Sequence, residues 1–127
     1  MNFVIVKPEL PTPEFIELLV KYFPEVKDEV LDPDYSDLIH LQVARFADHT
    51  NKMIEAKRID EVKKIFDFFR ATIDKVHSEV HNAMYVSFLE HIEFNDLDRN
   101  EIRGLLGDKY FNAWRELWKH LYGQYPI

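Results

Sequence analysis

The side chains best suited to chemistry in this 127-residue chain are histidines and carboxylates near its middle. His77 and His81 are four positions apart and would share a helical face, and Glu90 and His91 follow about three turns later. Imidazole and carboxylate groups are zinc ligands, so a metal site is conceivable. The spacing matches no ligand motif, because HSEVH has its glutamate one position too late for HExxH and no paired Glu-x-x-His occurs. We therefore predict no metal and no cofactor.

Nucleophilic catalysis is disfavoured by the same kind of comparison. Ser78 and Ser87 lack a Gly-x-Ser-x-Gly elbow, cysteine is absent, and only three glycines are present, none of them in a phosphate-binding loop. We predict no catalytic residue and expect that the protein is not an enzyme. A metal-dependent helical-bundle enzyme stays open as an alternative.

The elements that must position these residues all have helical periodicity. Residues 83–89 read Ala-Met-Tyr-Val-Ser-Phe-Leu, apolar on nearly every side of a helix, which predicts a central helix over 80–92 that is buried all round. The pattern predicts an all-α, single-domain bundle of about six helices, with an acidic loop at 25–33 that holds one helical turn. The predicted helices cover residues 12–23, 35–56, 60–77, 80–92, 98–106 and 108–121, and a tail with Tyr122 and Tyr125 follows the last one.

Two boundaries are less certain from the pattern. No glycine or proline separates residue 60 from residue 92, so one continuous helix is possible, but we favour a bend near residues 77–79, where the apolar stripe widens. Residues 3–6 have strand-like composition without a partner strand, which predicts an extended arm over residues 1–11. The absence of a signal-peptide core and of a long apolar run favours a complete, cytoplasmic chain.

Acidity is concentrated in two short segments. The chain has 23 acidic against 16 basic residues, a net charge of −7, which argues against binding to nucleic acid or to an anionic membrane. Residues 25–37 hold six carboxylates with only Lys27 opposing, more than helix capping requires. A second acidic segment follows the central helix. The predicted partner-binding residues are Glu25, Asp28, Glu29, Asp32, Asp34, Tyr35, Asp37, Glu90, Glu93, Asp96 and Asp98.

Aromatic residues near the C-terminus have helical spacing. Trp114 and Trp118 are four positions apart and are predicted to belong to the core. Tyr122 and Tyr125 lie beyond the last buried turn and could be exposed contact residues.

The motifs NAMYVSFLEHI and LLGDKYFNAWRELW resemble those of small bacterial helical proteins, some of which look like immunity proteins of interbacterial toxin systems. The resemblance covers residues 60–127 and implies a cytoplasmic antidote that binds one toxin, often a nuclease with a basic cleft. We therefore expect a non-enzymatic, monomeric protein that neutralises a basic toxin through its acidic surface. A homo-oligomeric regulatory or scaffold module, joined through residues 3–6, remains the other alternative.

Overall fold

The helical periodicity of the sequence is realised as seven α-helices in a computed structural model. It describes residues 9–94 and 99–126, without the side chains of Arg99 and Ile102. The predicted all-α fold is confirmed, and the described residues contain no strand beyond an isolated bridge between Leu10 and Val76. The helices are α1 Thr12–Tyr22, α2 Lys27–Val30, α3 Ile39–Glu55, α4 Ile59–Thr72, α5 Ser78–Ala83, α6 Arg99–Leu106 and α7 Asp108–Tyr122.

The acidic loop is more structured than one helical turn. Two 3-10 turns, Pro24–Val26 and Pro33–Tyr35, flank α2. Helix α3 begins at Ile39, whereas the sequence pattern predicts a start at residue 35. The reason is Asp37, which follows the second 3-10 turn with a φ of 62°. A left-handed residue cannot continue a right-handed helix, so the helix starts after it.

One cluster of buried residues forms the core, and phenylalanine rings dominate its centre. Phe88 from the central segment stacks on Phe46 of α3 at 5.1 Å between ring centroids and on Phe69 of α4 at 5.4 Å. Phe68 of α4 meets Phe23 edge to face at 5.3 Å. The aromatic stack therefore joins the N-terminal helices, the two long helices and the central segment into one core.

The central segment is buried as predicted, but it is not one regular helix. Helix α5 continues into a π-helical stretch, Met84–Phe88, and then a 3-10 turn, Leu89–His91. The hydrogen bonds of a π-helical stretch span five residues, against four in an α-helix, so the residues after it are rotated about the axis. Seven residues of the segment are buried: Val80, Ala83, Met84, Ser87, Phe88, Leu89 and Ile92.

Helices α4 and α5 are separate, which answers the question that the sequence left open. The chain turns after Thr72, slightly earlier than predicted, and Leu10 is inserted at the break. The Leu10 amide donates to the Lys75 carbonyl at 2.7 Å, and the His77 amide donates to the Leu10 carbonyl at 2.9 Å. The predicted arm over residues 1–11 lies mostly outside the described residues, so only its end, at this bridge, can be placed.

The last carbonyl groups of α3 and α6 are satisfied in two ways, by the following backbone in α3 and by a side chain of α4 in α6. At the end of α3 the Lys57 amide donates to the Ile54 carbonyl and the Arg58 amide to the Met53 carbonyl, the bonds of a Schellman motif. Lys57 has a φ of 57° in this motif, in the region that favours glycine. At the end of α6 the Arg70 guanidinium donates to the Leu105 carbonyl at 2.9 Å. None of the described helices is long and apolar enough to cross a membrane.

Candidate protein-docking surface

Three leucines are exposed where the acidic loop meets the start of α3. Leu31, Leu38 and Leu41 have exposed fractions of 45%, 48% and 43%. The Leu41 amide donates to the Leu38 carbonyl at 3.0 Å, which sets these two side chains one turn apart. We call these leucines, with Asp28, Asp32, Asp34 and Asp37, the leucine–aspartate surface.

A buried glutamine connects the two parts of this surface. Gln42 donates from Nε2 to the Val30 carbonyl at 3.2 Å, which ties the end of α2 to the first turn of α3. Leu31 directly follows Val30, and Leu41 directly precedes Gln42. The exposed leucines therefore lie at the same end of the molecule.

The aspartates differ in what they do for the loop. Asp32 accepts the Asp34 amide on Oδ1 at 2.9 Å and so caps the second 3-10 turn. Asp28 precedes Leu31 by three positions, which puts the two side chains on the same side of α2. Asp28, Asp34 and Asp37 are exposed. The surface thus has an apolar centre and a negatively charged rim.

Glu25 and Glu29, although in the same acidic segment, face a different environment. They line a groove of about 240 Å³ whose other wall includes Arg45, His49 and Lys52 of α3. His49 Nε2 lies 3.4 Å from Glu25 Oε1, within ion-pair range, but the atoms are not aligned for a hydrogen bond. Asp48 of α3 also lines this groove and pairs with Arg45 at 3.2 Å. None of the four aspartates of the leucine–aspartate surface lines the groove, so Glu25 and Glu29 belong to a separate charged site.

Tyr35 joins the acidic loop to α3. Its ring is half-buried, and the Arg45 guanidinium lies 5.7 Å from the ring centroid. A cation over an aromatic face stabilises this contact. Tyr35, predicted as a contact residue, thus also helps to fix the loop on α3.

The second acidic segment approaches α3 from another side. The Asn51 side chain accepts the Glu93 amide at 2.9 Å and donates to the His91 carbonyl at 2.8 Å. Asn51 follows His49, which contacts Glu25, by two positions on α3. Two positions correspond to a rotation of about 200° around the helix axis, so the two acidic segments meet different sides of α3. Glu90 is half-buried and Glu93 exposed, while Asp96 and Asp98 lie outside the described residues. The structure therefore does not join Glu90 and Glu93 to the leucine–aspartate surface.

The histidines that suggested a metal site have other contacts. His77 accepts the Glu79 amide on Nδ1 at 3.2 Å and caps α5, and the His81 ring lies 5.0 Å from that of Tyr85. Both histidines line a shallow cleft of about 430 Å³ with Glu9 and Asp74. Within residues 9–94 and 99–126, no three histidine or carboxylate side chains are arranged to hold a metal ion.

A serine–histidine contact links α3 to the π-helical stretch. His40 Nδ1 and Ser87 Oγ are 2.7 Å apart, and Ser87 is buried. The pair satisfies a buried hydroxyl at the place where the helical hydrogen-bond pattern changes. Sequence reasoning missed it, because 47 positions separate the two residues and no local signal connects them.

Burial perturbs two tyrosines near the cleft. Burial raises the pKa of Tyr110, and the nearby Asp74 carboxylate, 3.5 Å from the phenol oxygen, raises it further. The pKa of Tyr85 is also raised, mainly by burial and then by Tyr110. These phenols retain their protons more strongly than free tyrosine does.

Sequence reasoning also missed the three exposed leucines, although a signal was present for Leu41 of α3. The buried face of α3 is defined by Ile39, Val43 and Phe46. Leu41 is two positions from both Ile39 and Val43, so the helical period turns it away from that face.

Comparison with known proteins identifies the family but no activity. The chain belongs to a domain family of unknown function, DUF7674, whose model matches residues 16–123. Neither a curated protein nor a solved structure gave a significant match. The matched range includes the whole leucine–aspartate surface.

Proposed function

We propose that this DUF7674 protein is a non-enzymatic binding module that docks on a basic protein through its leucine–aspartate surface. The observation that carries the proposal is the exposure of three leucines beside four aspartates on a braced loop. Exposed apolar side chains that are grouped together and rimmed by polar residues are typical of protein–protein interaction sites. Docking would remove the leucines from water.

The two components of the surface have separate roles in this proposal. The leucines supply affinity, because burying apolar area is the main favourable term in association. The aspartates supply long-range attraction and exclude acidic partners. The Gln42 bond to Val30 and the Asp32 cap hold the loop before binding, which lowers the entropy lost on docking.

The target class that fits is a basic nuclease toxin, with this protein as its immunity protein in the cytoplasm. A nuclease cleft is positively charged because it binds phosphates, and an acidic protein can cover it. The resemblance of residues 60–127 to immunity-like proteins supports this class. Inhibition by occlusion needs no catalytic group on the inhibitor.

The proposal is tested by titration calorimetry with the protein encoded by the adjacent open reading frame. Replacing Asp28→Lys together with Asp34→Lys should weaken binding at least about tenfold, because it reverses the charge of the rim. Asp32 is kept, since its substitution would also remove the cap. Leu38→Ser with Leu41→Ser should cause a loss of the same order.

The matched control reverses the charge of two exposed carboxylates that lie outside the leucine–aspartate surface. Glu17→Lys with Glu55→Lys makes the same change in net charge on α1 and α3 and should leave affinity within about threefold. Equal losses in the rim variant and this control would mean that only net charge matters. Losses below tenfold in both surface variants would refute the proposed surface.

A further inference from the structure

The described surface has a second apolar patch, at the end of α7. Leu121, Tyr122 and Tyr125 have exposed fractions of 49%, 58% and 40%. Among the described residues, the other exposed large hydrophobic side chains are the three leucines of the leucine–aspartate surface. We call Leu121, Tyr122 and Tyr125 the aromatic patch.

The charge around the aromatic patch has the opposite sign to that of the aspartate rim. The Arg115 guanidinium and the Lys119 ammonium lie 4.9 and 4.6 Å from the Tyr125 ring centroid. The Tyr125 hydroxyl donates to Glu116 at 2.8 Å, so one carboxylate faces two cations. The patch therefore presents apolar and aromatic groups with a net positive charge.

The patch is also anchored to the core. Tyr122 packs on Trp118 at 4.4 Å between ring centroids, and Trp118 packs on Trp114 at 5.5 Å. Trp114 is buried, as predicted, and donates from Nε1 to the Ile92 carbonyl at 3.1 Å. These ring contacts hold the side chain of the exposed Tyr122 in place, so it loses little conformational freedom on docking.

We infer that the aromatic patch of one copy docks on the leucine–aspartate surface of a second copy. Leucines face aromatic rings, and the aspartates of one copy face Arg115 and Lys119 of the other. The contact joins two different surfaces, so it is head-to-tail and leaves one free patch at each end of a dimer. The inference does not depend on the proposed partner, which would compete for the same aspartates.

Sedimentation velocity of the full chain measures this association directly. The sedimentation coefficient should rise as concentration increases from about 10 μM to about 1 mM, the range of a weak contact. Raising the salt concentration from about 0.05 to about 0.5 M should weaken the association, because the attracting charges are exposed.

Two complementary variants test the head-to-tail arrangement. Tyr122→Ser with Lys119→Glu disables the aromatic patch, and Leu38→Ser with Asp34→Lys disables the leucine–aspartate surface. For each variant alone, the dissociation constant of self-association should be at least about tenfold higher than for the wild type. An equimolar mixture should form a heterodimer that grows no further, because one intact surface of each kind remains.

One control variant and three contrary outcomes complete the test of self-association. Glu17→Lys with Glu55→Lys should associate like the wild type, and circular dichroism should confirm that every variant is folded. A wild type that stays monomeric at about 1 mM, or a mixture that forms no heterodimer, overturns the inference. Association that survives Leu38→Ser with Asp34→Lys also overturns it, since it would show contact between like patches. These results leave binding to a basic protein as a separate measurement.

Discussion

Single residues in this protein show how the same residue type takes different roles. Asp32 caps a 3-10 turn, whereas Asp34, two positions later, is exposed on the leucine–aspartate surface. Tyr125 is exposed between two cations, whereas Tyr110 is buried beside a carboxylate. Only the surroundings of each side chain decide whether it serves the fold or a contact.

The first prediction concerns Tyr110 and alkaline pH. A free phenol ionises near pH 10, and the pKa of Tyr110 is raised in the folded protein. Below pH 10 both states hold the proton; as the pH rises further, the unfolded chain releases it first and folding loses stability. Tyr110→Phe should therefore make the urea midpoint fall less steeply between about pH 9.5 and 11.

Urea denaturation at a series of pH values measures this effect. At neutral pH the variant should lose at most about 1 kcal/mol, because the bond to Asp74 is long. Tyr122→Phe removes an exposed phenol and is the matched control; its pH profile should follow that of the wild type. A Tyr110→Phe profile that parallels the wild type would contradict the prediction.

At the scale of elements, the end of α3 combines good hydrogen bonding with an unfavourable residue. Lys57 occupies the left-handed position of the Schellman motif, where a Cβ atom costs roughly 1–2 kcal/mol. Lys57→Gly should stabilise the protein by about 0.5–1 kcal/mol after the extra entropy of glycine in the unfolded chain is subtracted.

Chemical denaturation gives the change in free energy of unfolding. Lys57→Ala is the control, because it removes the same charge and side chain but keeps Cβ, and it should give no comparable gain. If alanine stabilises the protein as much as glycine, the lysine side chain and not the backbone is responsible.

The elements also show what the sequence could and could not predict. The stripe of α4 from Val62 to Phe69 follows the 3.6-residue period and is buried as predicted. The start of α3 was misplaced because the left-handed Asp37 has no distinctive sequence signal. The π-helical stretch was missed because the apolar run of residues 83–89 has no local signal that distinguishes it from an α-helix. The contact of its Ser87 with His40 of α3 joins residues 47 positions apart.

At the scale of the whole molecule, the core and the candidate surfaces separate cleanly. The acidic half of the docking surface was predicted from charge density, but its leucines were not, since leucine is ordinarily a core residue. The exposure of Leu31 and Leu38 follows from how α2 and α3 pack, whereas the helical period of α3 indicates that of Leu41. The exposure of Tyr122 and Tyr125, in contrast, was predicted from their place beyond the last buried turn, whereas that of Leu121, at 49%, was not.

This separation predicts that the surface leucines contribute little to stability. Leu38→Ser with Leu41→Ser should lower the free energy of unfolding by no more than about 1 kcal/mol for each leucine, because both side chains are already half in water. Leu19→Ala, in the fully buried part of α1, should cost about 2–5 kcal/mol. Thermal and urea unfolding measure both, and a loss in the leucine pair as large as that of Leu19→Ala would mean that these leucines belong to the core.

The bridge between Leu10 and the chain at Val76 gives the molecule a mechanical property. Two backbone hydrogen bonds fasten the start of the described chain to the junction of α4 and α5. A pulling force applied ahead of Glu9 is therefore transmitted to that junction before α1 can unwind. Traction from the N-terminal side therefore loads the junction of α4 and α5, in the middle of the sequence, before it loads α1.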